Sequence, residues 1–551
     1  SNVANAFSTA PTSSLSSSIR TSSSSQPLRA STLDPPIVSV SEEPIGVQNE
    51  GELASSTPLL QSPGLREDDV FDCDESVQFW KEFQSEGNDG NLQRLLQILR
   101  EEANVDNLAR AYWTSHLLRT GYFSMNAALG SVLSDVHERF IASRRRRSNN
   151  DNNESIASNN KKEEEEQDAA NVSPIFATSD DGMTSRLANS DVPSRLLLEA
   201  FRVYYQDYQY VKNGVLKFPW DALVQGGNSS NSRSTNSSRS SIRLNRNHRQ
   251  SNPIFALQET ANTIFESVSI FSRRNKQSSK GVFLSQPATA STKQDSSSLL
   301  YPDYYLNDFH YQTDGWLSSA SAQRYEAATE TLFLGRQDAM QRQTLIPILL
   351  ESQASSQKSS PETILDVAVG TGRFGTFVRD HFPTAQITYT DLSPFYLEKA
   401  QENDQYWMAQ RGSDAIKEEA AKSTSSKVEK QPEPATFVQA NAEDLPFEDN
   451  SFDAVTCVYL FHELPKQAQE RAAKEMVRVV KPGGMIVLTD SIQKGDRPPL
   501  DHLMGNFGRL NEPYYDNYIE TYLPDLFEGC ETKRKFVASS TKTLSFIKKK
   551  D

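Results

Sequence analysis

The pattern of apolar and polar residues divides the chain into three kinds of region. Some stretches have the apolar spacing of helices, some are long polar tracts, and in one region short apolar runs alternate with segments of helical spacing. In the carboxyl-terminal region the apolar runs have the length of strands, and helical segments separate them. This alternation predicts an α/β domain with a doubly wound, mostly parallel sheet. The five predicted parallel strands are Ile364–Val367, Ile387–Thr390, Thr436–Gln439, Ala454–Val458 and Met485–Leu488.

An amino-terminal region carries apolar residues at helical spacing but no motif with chemistry. Its apolar stripes include Leu92, Leu95 and Leu99, and later Tyr112 and Trp113. Such spacing predicts amphipathic helices, which polar tracts after residues 147 and 224 interrupt. The sequence leaves two alternatives open for this region. It is either a module that contacts a partner or a membrane surface, or a packing extension of the catalytic domain.

Composition sets the expected domain boundaries. The chain has 551 residues and only 36% are hydrophobic, so its Ser-, Asn- and charge-rich tracts cannot bury enough surface to offset chain entropy. We expect residues 1–69 to be disordered and residues 70–274 to be helical with disordered linkers. Residues 275–300 read as a linker, and residues 301–551 as the catalytic domain.

Charge and cysteine content exclude several classes of function. The net charge of −15 disfavours binding to nucleic-acid phosphates. The three cysteines, Cys73, Cys457 and Cys530, are not spaced as metal ligands and cannot form a full disulfide framework. No metal site is therefore expected. No run of eighteen apolar residues exists, so no transmembrane helix is predicted.

The first residues have the composition of a targeting segment. Residues 1–32 contain no acidic residue, many serines, and the basic residues Arg20 and Arg29. This composition is typical of a transit peptide. Val3–Phe7 also resembles the Ala-x-Ala-Phe cleavage motif of algae with complex plastids. We expect a plastid location, with the mitochondrion as the alternative and an untargeted Ser-rich tail as the third option.

The segment ILDVAVGTGRFG, residues 364–375, carries the strongest functional signal. It predicts a buried strand with Asp366 near its end, followed by a turn at Gly370 and Gly372 that opens a helix. The next strand is followed directly by Asp391. Because the carboxyl ends of parallel strands face the same crevice, both acids should lie at one ligand site. This arrangement predicts a nucleoside-containing cofactor.

The same glycines also satisfy the dinucleotide fingerprint G-x-G-x-x-G, through Gly370, Gly372 and Gly375. A lone match of this kind is weak. Asp366 stands where a carboxylate can meet an ammonium group, whereas the pyrophosphate of a dinucleotide would be repelled there. A dinucleotide-dependent oxidoreductase is therefore the less favoured alternative.

Together with Asn441–Phe447, Asp449–Val455 and Lys481–Gly484, this segment resembles the class I S-adenosylmethionine-dependent methyltransferases. The resemblance is closest to methyltransferase type 11 and the quinone-biosynthesis C-methyltransferases. It covers roughly residues 363–548, about a third of the chain. It implies a Rossmann-like sheet of seven strands with an antiparallel last strand, S-adenosylmethionine as cofactor, and a small-molecule acceptor, which is lipophilic or aromatic in the quinone enzymes.

The resemblance also implies which residues hold the cofactor. Asp366 to Gly372 would hold its methionine part, Asp391 its ribose hydroxyls, and Leu392 and Asn441 its adenine. Ala368 stands where the family usually has glycine, and Asn441 where it usually has aspartate. The complete predicted set is Asp366, Ala368, Gly370, Gly372, Asp391, Leu392, Asn441, Ala442 and Val458.

Candidate residues on the acceptor side are fewer and rest on position alone. His462 follows the fourth strand, where an imidazole could accept a proton from a hydroxyl nucleophile. His310, Tyr311 and Tyr514 are candidates for binding the acceptor, although each could equally serve packing. The sequence predicts a methyltransferase. A catalytically silent cofactor-binding or assembly protein is the second hypothesis.

Overall fold

The architecture is taken from a computed structural model of the chain. The residues that the structure describes are 72–73, 97, 100–101, 108–126, 192–221, 224–226, 242–244, 261, 301–306, 315–354, 360–422, 432–497, 501, 504 and 512–550. The predicted boundaries at residues 69, 274 and 300 lie outside them. So do the candidate acceptor residues His310 and Tyr311.

Ten strands are present in the described part of the chain. They are β1 (Asp72–Cys73), β2 (Val224–Gly226), β3 (Ile242–Leu244), β4 (Thr363–Val367), β5 (Gln386–Asp391), β6 (Thr436–Gln439), β7 (Phe452–Val458), β8 (Val480–Ser491), β9 (Cys530–Ala538) and β10 (Thr541–Lys548). Strands β2 and β3 form a separate antiparallel pair. The others form one sheet in the order β1-β9-β10-β8-β7-β4-β5-β6.

The main sheet confirms the predicted doubly wound, mostly parallel fold. Strands β4 to β8 pair in parallel, whereas β10 is antiparallel to both β8 and β9. The seven predicted strands are all present, and the two-residue β1 extends the edge beside β9. Ile364, Leu365 and Val455 are fully buried because helices cover both faces of a parallel sheet.

Ten α-helices surround or extend this sheet within the described residues. They are α1 (108–126), α2 (Val192–Lys212), α3 (Ser319–Leu332), α4 (Gln337–Gln341), α5 (Leu345–Ala354), α6 (Arg373–His381), α7 (Pro394–Trp407), α8 (Ser413–Lys422), α9 (Lys466–Val479) and α10 (Tyr515–Glu520). Ser318 and Ser393 cap α3 and α7, because each side chain accepts a hydrogen bond from a first-turn N–H. None of the helices in the described residues has the length and apolarity needed to span a membrane.

Helices α1 and α2 pack into the same hydrophobic core as the sheet. Tyr112 and Tyr204 belong to one buried cluster with the strand residues. The Tyr112 hydroxyl donates to Asp207 at 2.6 Å and links the two helices. Gln206 donates to the backbone carbonyl of Val537 in β9 at 3.0 Å. In the described residues, the amino-terminal helices thus behave as a packing extension of the sheet domain.

Glu199 of α2 forms a buried polar link to residues beside the sheet. Its carboxylate binds Arg497 at 3.0 Å, lies 3.6 Å from Arg336, and accepts from the Ser539 hydroxyl at 2.7 Å. Burial alone would raise the pKa of Glu199, but the two guanidinium groups hold it below its usual value.

We expect Glu199→Gln to lower the free energy of unfolding by about 3–5 kcal/mol, because two buried guanidinium groups lose their counter-charge. The control is Glu520→Gln, which removes a 62% exposed partner of Lys494 and should cost at most about 1 kcal/mol. Urea unfolding of the whole chain measures both. Equal stability of the two variants would mean that the ion pairs of Glu199 do not contribute to holding α2 on the sheet.

Candidate functional site

The glycine segment follows the carboxyl end of β4 and is hydrogen-bonded to the end of β5, beside the point between β4 and β7 where the strand order reverses. The backbone N–H of Val369 donates to the Thr390 carbonyl at 2.8 Å. The Gly370 N–H donates to one carboxylate oxygen of Asp391 at 2.8 Å, and the Ser393 N–H donates to the other at 2.9 Å. These bonds fix the segment against the adjacent strand. The crevice therefore lies where doubly wound sheets bind ligands.

The two glycines of the turn serve different purposes. Gly370 has φ +57°, and a Cβ there would meet nothing within 4 Å, so its backbone faces open space. Gly372 has φ +74°, and a Cβ there would lie 2.8 Å from the Cα of Ala400 in α7. Gly372 thus permits α6 and α7 to approach closely, whereas Gly370 leaves room for a ligand.

Ala368 is constrained by its backbone as well as by its size. Its φ is +57°, a region that costs an L-residue roughly 1–2 kcal/mol. The sequence indicated only that a small residue is needed there. The methyltransferase family that the chain resembles usually has glycine at this position, and glycine adopts a positive φ without this cost.

Two carboxylates in the crevice have perturbed acidity. Asp366 is 2% exposed, and Thr456 donates to its Oδ1 at 2.8 Å. Burial raises the pKa of Asp366 to about 7, with a further upward contribution from Asp391. Burial also raises the pKa of Asp391 to about 6, although the backbone N–H groups that donate to its carboxylate stabilise the charge and lower the pKa. A cationic ligand would favour the ionised form of both groups.

One cavity of about 460 Å³ opens onto these carboxylates. Asp366 and Asp391 line it at the strand ends. Of the remaining predicted cofactor residues, all but Gly372 line the same cavity, namely Ala368, Gly370, Leu392, Asn441, Ala442 and Val458. The Asn441 side chain is held by the Glu443 N–H, which donates to its Oδ1 at 3.1 Å. The structure brings these residues together, and their roles toward a cofactor stay predictions.

The candidate acceptor residue Tyr514 lies beside the cavity and does not line it. Its ring packs edge-on against Tyr304, with 6.3 Å between ring centroids, and Tyr304 lines the cavity. Other aromatic side chains in the lining include Tyr305, Trp316 and Tyr325. These aromatic rings give the cavity a partly apolar wall.

The His462 side chain is buried among carboxylates, and it is absent from the cavity lining. Its Nδ1 lies 2.6 Å from Asp490 Oδ1, and Asp490 Oδ2 accepts from the Phe461 N–H at 2.7 Å. Burial alone would lower the pKa of His462, but Asp490, Glu512 and Glu463 raise it to about 9. A protonated imidazole has no lone pair with which to accept a proton. The catalytic role of His462 stays a prediction that this geometry does not favour.

Sequence reasoning missed the contribution of α1 to the cavity. His116 and Arg119 of α1 line it, although they precede the glycine segment by more than two hundred residues. Glu330 of α3, which pairs with Arg119 in the lining, is 211 residues further along the chain than Arg119. No spacing rule relates residues so far apart in the chain. The only available signal was polar residues within the apolar pattern of a predicted helix.

A family model described as a methyltransferase domain matches residues 407–488, downstream of the glycine segment. The demethylmenaquinone methyltransferase of Deinococcus radiodurans is 30% identical over 189 residues, which are 34% of this chain and 62% of that relative. The mitochondrial 2-methoxy-6-polyprenyl-1,4-benzoquinol methylase of Caenorhabditis elegans is 29% identical over 30% of this chain and 45% of the relative. The chain thus spans less than two thirds of either relative. Among solved structures, the PH0226 protein of Pyrococcus horikoshii is 17% identical, with 42% of this chain and 95% of that chain covered and a TM-score of 0.27.

The acidity of Asp366 gives a prediction for the stability of the unliganded protein. Its folded pKa near 7 lies above the unfolded value of about 3.9, so the folded state binds a proton that the unfolded state releases. Asp366 therefore reduces stability as the pH rises between these values. We expect Asp366→Asn to gain stability relative to the original protein over this window, on the order of 2–4 kcal/mol.

Urea unfolding at a series of pH values measures this difference, and Asp414→Asn is the control, since that carboxylate is 68% exposed. A stability difference for Asp366→Asn that does not change with pH would contradict the assignment of a raised pKa.

Proposed function

We propose that this chain, which carries a class I S-adenosylmethionine-dependent methyltransferase domain, transfers a methyl group from S-adenosylmethionine to a small lipophilic acceptor. The observation that carries the proposal is the joint placement of Asp366, Gly370 and Asp391 on one cavity at the switch point of the sheet. The matched domain family and the names of both relatives support the same reaction.

The residues present fit this cofactor. Asp366 would hold the ammonium group of its methionine part, because a buried carboxylate is stabilised by a cation. Asp391 would accept hydrogen bonds from the ribose hydroxyls, with its orientation fixed by the Gly370 and Ser393 N–H groups. The open space at Gly370 lets the ligand approach the backbone.

When bound, the cofactor supplies an already activated sulfonium methyl group. The protein then has to bind the acceptor, align its nucleophile and exclude water. The aromatic wall formed by Tyr305, Trp316 and Tyr325 is suited to cover an apolar acceptor. The relatives named for quinone substrates support an acceptor that is lipophilic and aromatic, such as a quinol.

We expect the chain to bind S-adenosylhomocysteine and S-adenosylmethionine with micromolar affinity, and Asp391→Asn to weaken both by about 10- to 100-fold, because a charge-assisted hydrogen bond is lost. Isothermal titration of the full chain measures this affinity. Asp449→Asn is the control, since that carboxylate is 67% exposed and lies on a different surface loop.

The same titration separates the alternatives. A preference for NAD over both adenosyl ligands would sink the methyltransferase proposal and favour a dinucleotide-dependent oxidoreductase. Binding of S-adenosylmethionine without turnover of any aromatic or lipophilic acceptor would favour a catalytically silent binding protein.

We also propose that the protein works in an organelle, with the plastid favoured over the mitochondrion. The acid-free, serine-rich composition of residues 1–32 supports import, and the mitochondrial name of one relative leaves the second organelle open. We expect a carboxyl-terminal fluorescent fusion of the full chain to reach an organelle in algal cells and the same fusion lacking residues 1–69 to stay outside it. Identical distributions of the two fusions would contradict the proposal.

A further inference from the structure

The cavity extends from the cofactor crevice to a second end that α1 builds. One continuous lining contains Asp366 and Asp391 at the crevice and residues of α1 at the other end. The α1 residues in this lining are Ser115, His116, Leu118, Arg119, Tyr122 and Phe123. Since the crevice accounts for a cofactor, the α1 end is the part left for the methyl acceptor.

Buried ion pairs hold α1 in this position. The Arg119 guanidinium lies 2.5 Å from Glu330 Oε1 in α3 and 2.7 Å from Asp338 Oδ2 in α4. The Thr120 hydroxyl also bonds the hydroxyl of Tyr204 in α2 at 2.7 Å. These contacts fix the wall, so its side chains are placed before any ligand binds.

His116 lines this end of the cavity and has one ring nitrogen that is not used in a hydrogen bond among the described residues. Its Nδ1 lies 2.8 Å from the backbone carbonyl oxygen of Tyr112. Because a carbonyl oxygen can only accept, Nδ1 must carry the proton, and Nε2 keeps a lone pair. No hydrogen bond reaches Nε2 from the residues that the structure describes. The ring itself is fixed by stacking on Tyr112, with 4.0 Å between centroids.

The imidazole also stays neutral at physiological pH. Burial is the main cause that lowers the pKa of His116 to about 3, and the positive charges of Arg119 and Arg342 lower it as well. The hydrogen bond to the Tyr112 carbonyl raises the pKa, but by less. The neutral imidazole of His116 can therefore accept a hydrogen bond in a fixed position. It is too weak a base to take up a proton as a general base, whose pKa should lie near the working pH.

We propose that His116 accepts a hydrogen bond from a hydroxyl group of an aromatic methyl acceptor, and that α1 forms the wall of the pocket that selects this acceptor. The inference rests on the methyltransferase function proposed above and deepens it. The rings of Phe123 and Tyr325 in the same lining supply apolar surface for the aromatic body, while Nε2 supplies the polar contact.

The test uses two probes that differ in one hydrogen-bond donor. The full chain is saturated with S-adenosylhomocysteine and titrated with 1-naphthol or with 1-methoxynaphthalene, which has no hydroxyl proton. We expect the original protein to bind naphthol about 10-fold more tightly, because a buried acceptor left unpaired disfavours the ether. In His116→Phe the ring stacking is kept and the acceptor is removed, so the preference should disappear.

Two further variants serve as controls. His116→Gln should keep part of the preference, since its amide oxygen can accept a hydrogen bond. Met125→Ala should keep all of it, because Met125 is on α1, is 56% exposed and is absent from the cavity lining. The affinity of each variant for S-adenosylhomocysteine reports whether it is folded.

The outcomes separate the inference from the function on which it rests. If S-adenosylhomocysteine binds but the original protein does not prefer naphthol, or if His116→Phe keeps the preference, the inference about His116 is wrong and the methyltransferase proposal stands. If S-adenosylhomocysteine does not bind to the original protein, the proposed function fails and the inference fails with it.

Discussion

The buried carboxylate of Asp338 is the contact on which the arrangement of the site depends. Arg373, the first residue of α6, binds it through two nitrogens at 3.0 and 2.6 Å, and Arg119 of α1 binds it at 2.7 Å. Asp221 also pairs with Arg373. Burial would raise the pKa of Asp338, but the two guanidinium groups hold it far below its usual value. Buried charges are costly unless each finds its partner, so this cluster admits one relative placement of α1, α4 and α6.

The placement has a direct consequence for the cavity. Because α6 follows the glycine turn and α1 belongs to the amino-terminal extension, Asp338 links the crevice to the part of the cavity that α1 lines. The extension therefore does more than cover apolar surface, since its His116 and Arg119 face the same space as Asp366 and Asp391. The main sheet supplies the crevice end of the cavity, and an element outside that sheet supplies the other end.

Burial of each titratable group, and not the net charge of the protein, is the main cause of the shifted pKa values inside the cavity. The crevice holds Asp366 and Asp391, whose pKa values burial raises, whereas the α1 end holds a neutral imidazole whose pKa burial lowers. A cation is favoured at the first end, and a hydrogen-bond donor is favoured at the second. His462, which the sequence suggested as a base, lies outside this lining against Asp490, which helps to raise its pKa to about 9, and its catalytic role stays a prediction.

The sequence by itself determined the sheet and the crevice. The alternation of strand and helix, and the acids at the ends of β4 and β5, are local patterns, and parallel pairing brings such strand ends to one edge. Only the tertiary structure decided that α1 forms a cavity wall, that Gly372 serves helix packing, and that His462 is an ion-pair partner. Each of these depends on contacts between residues far apart in the chain, such as Arg119 with Asp338, and local sequence patterns carry no information about them.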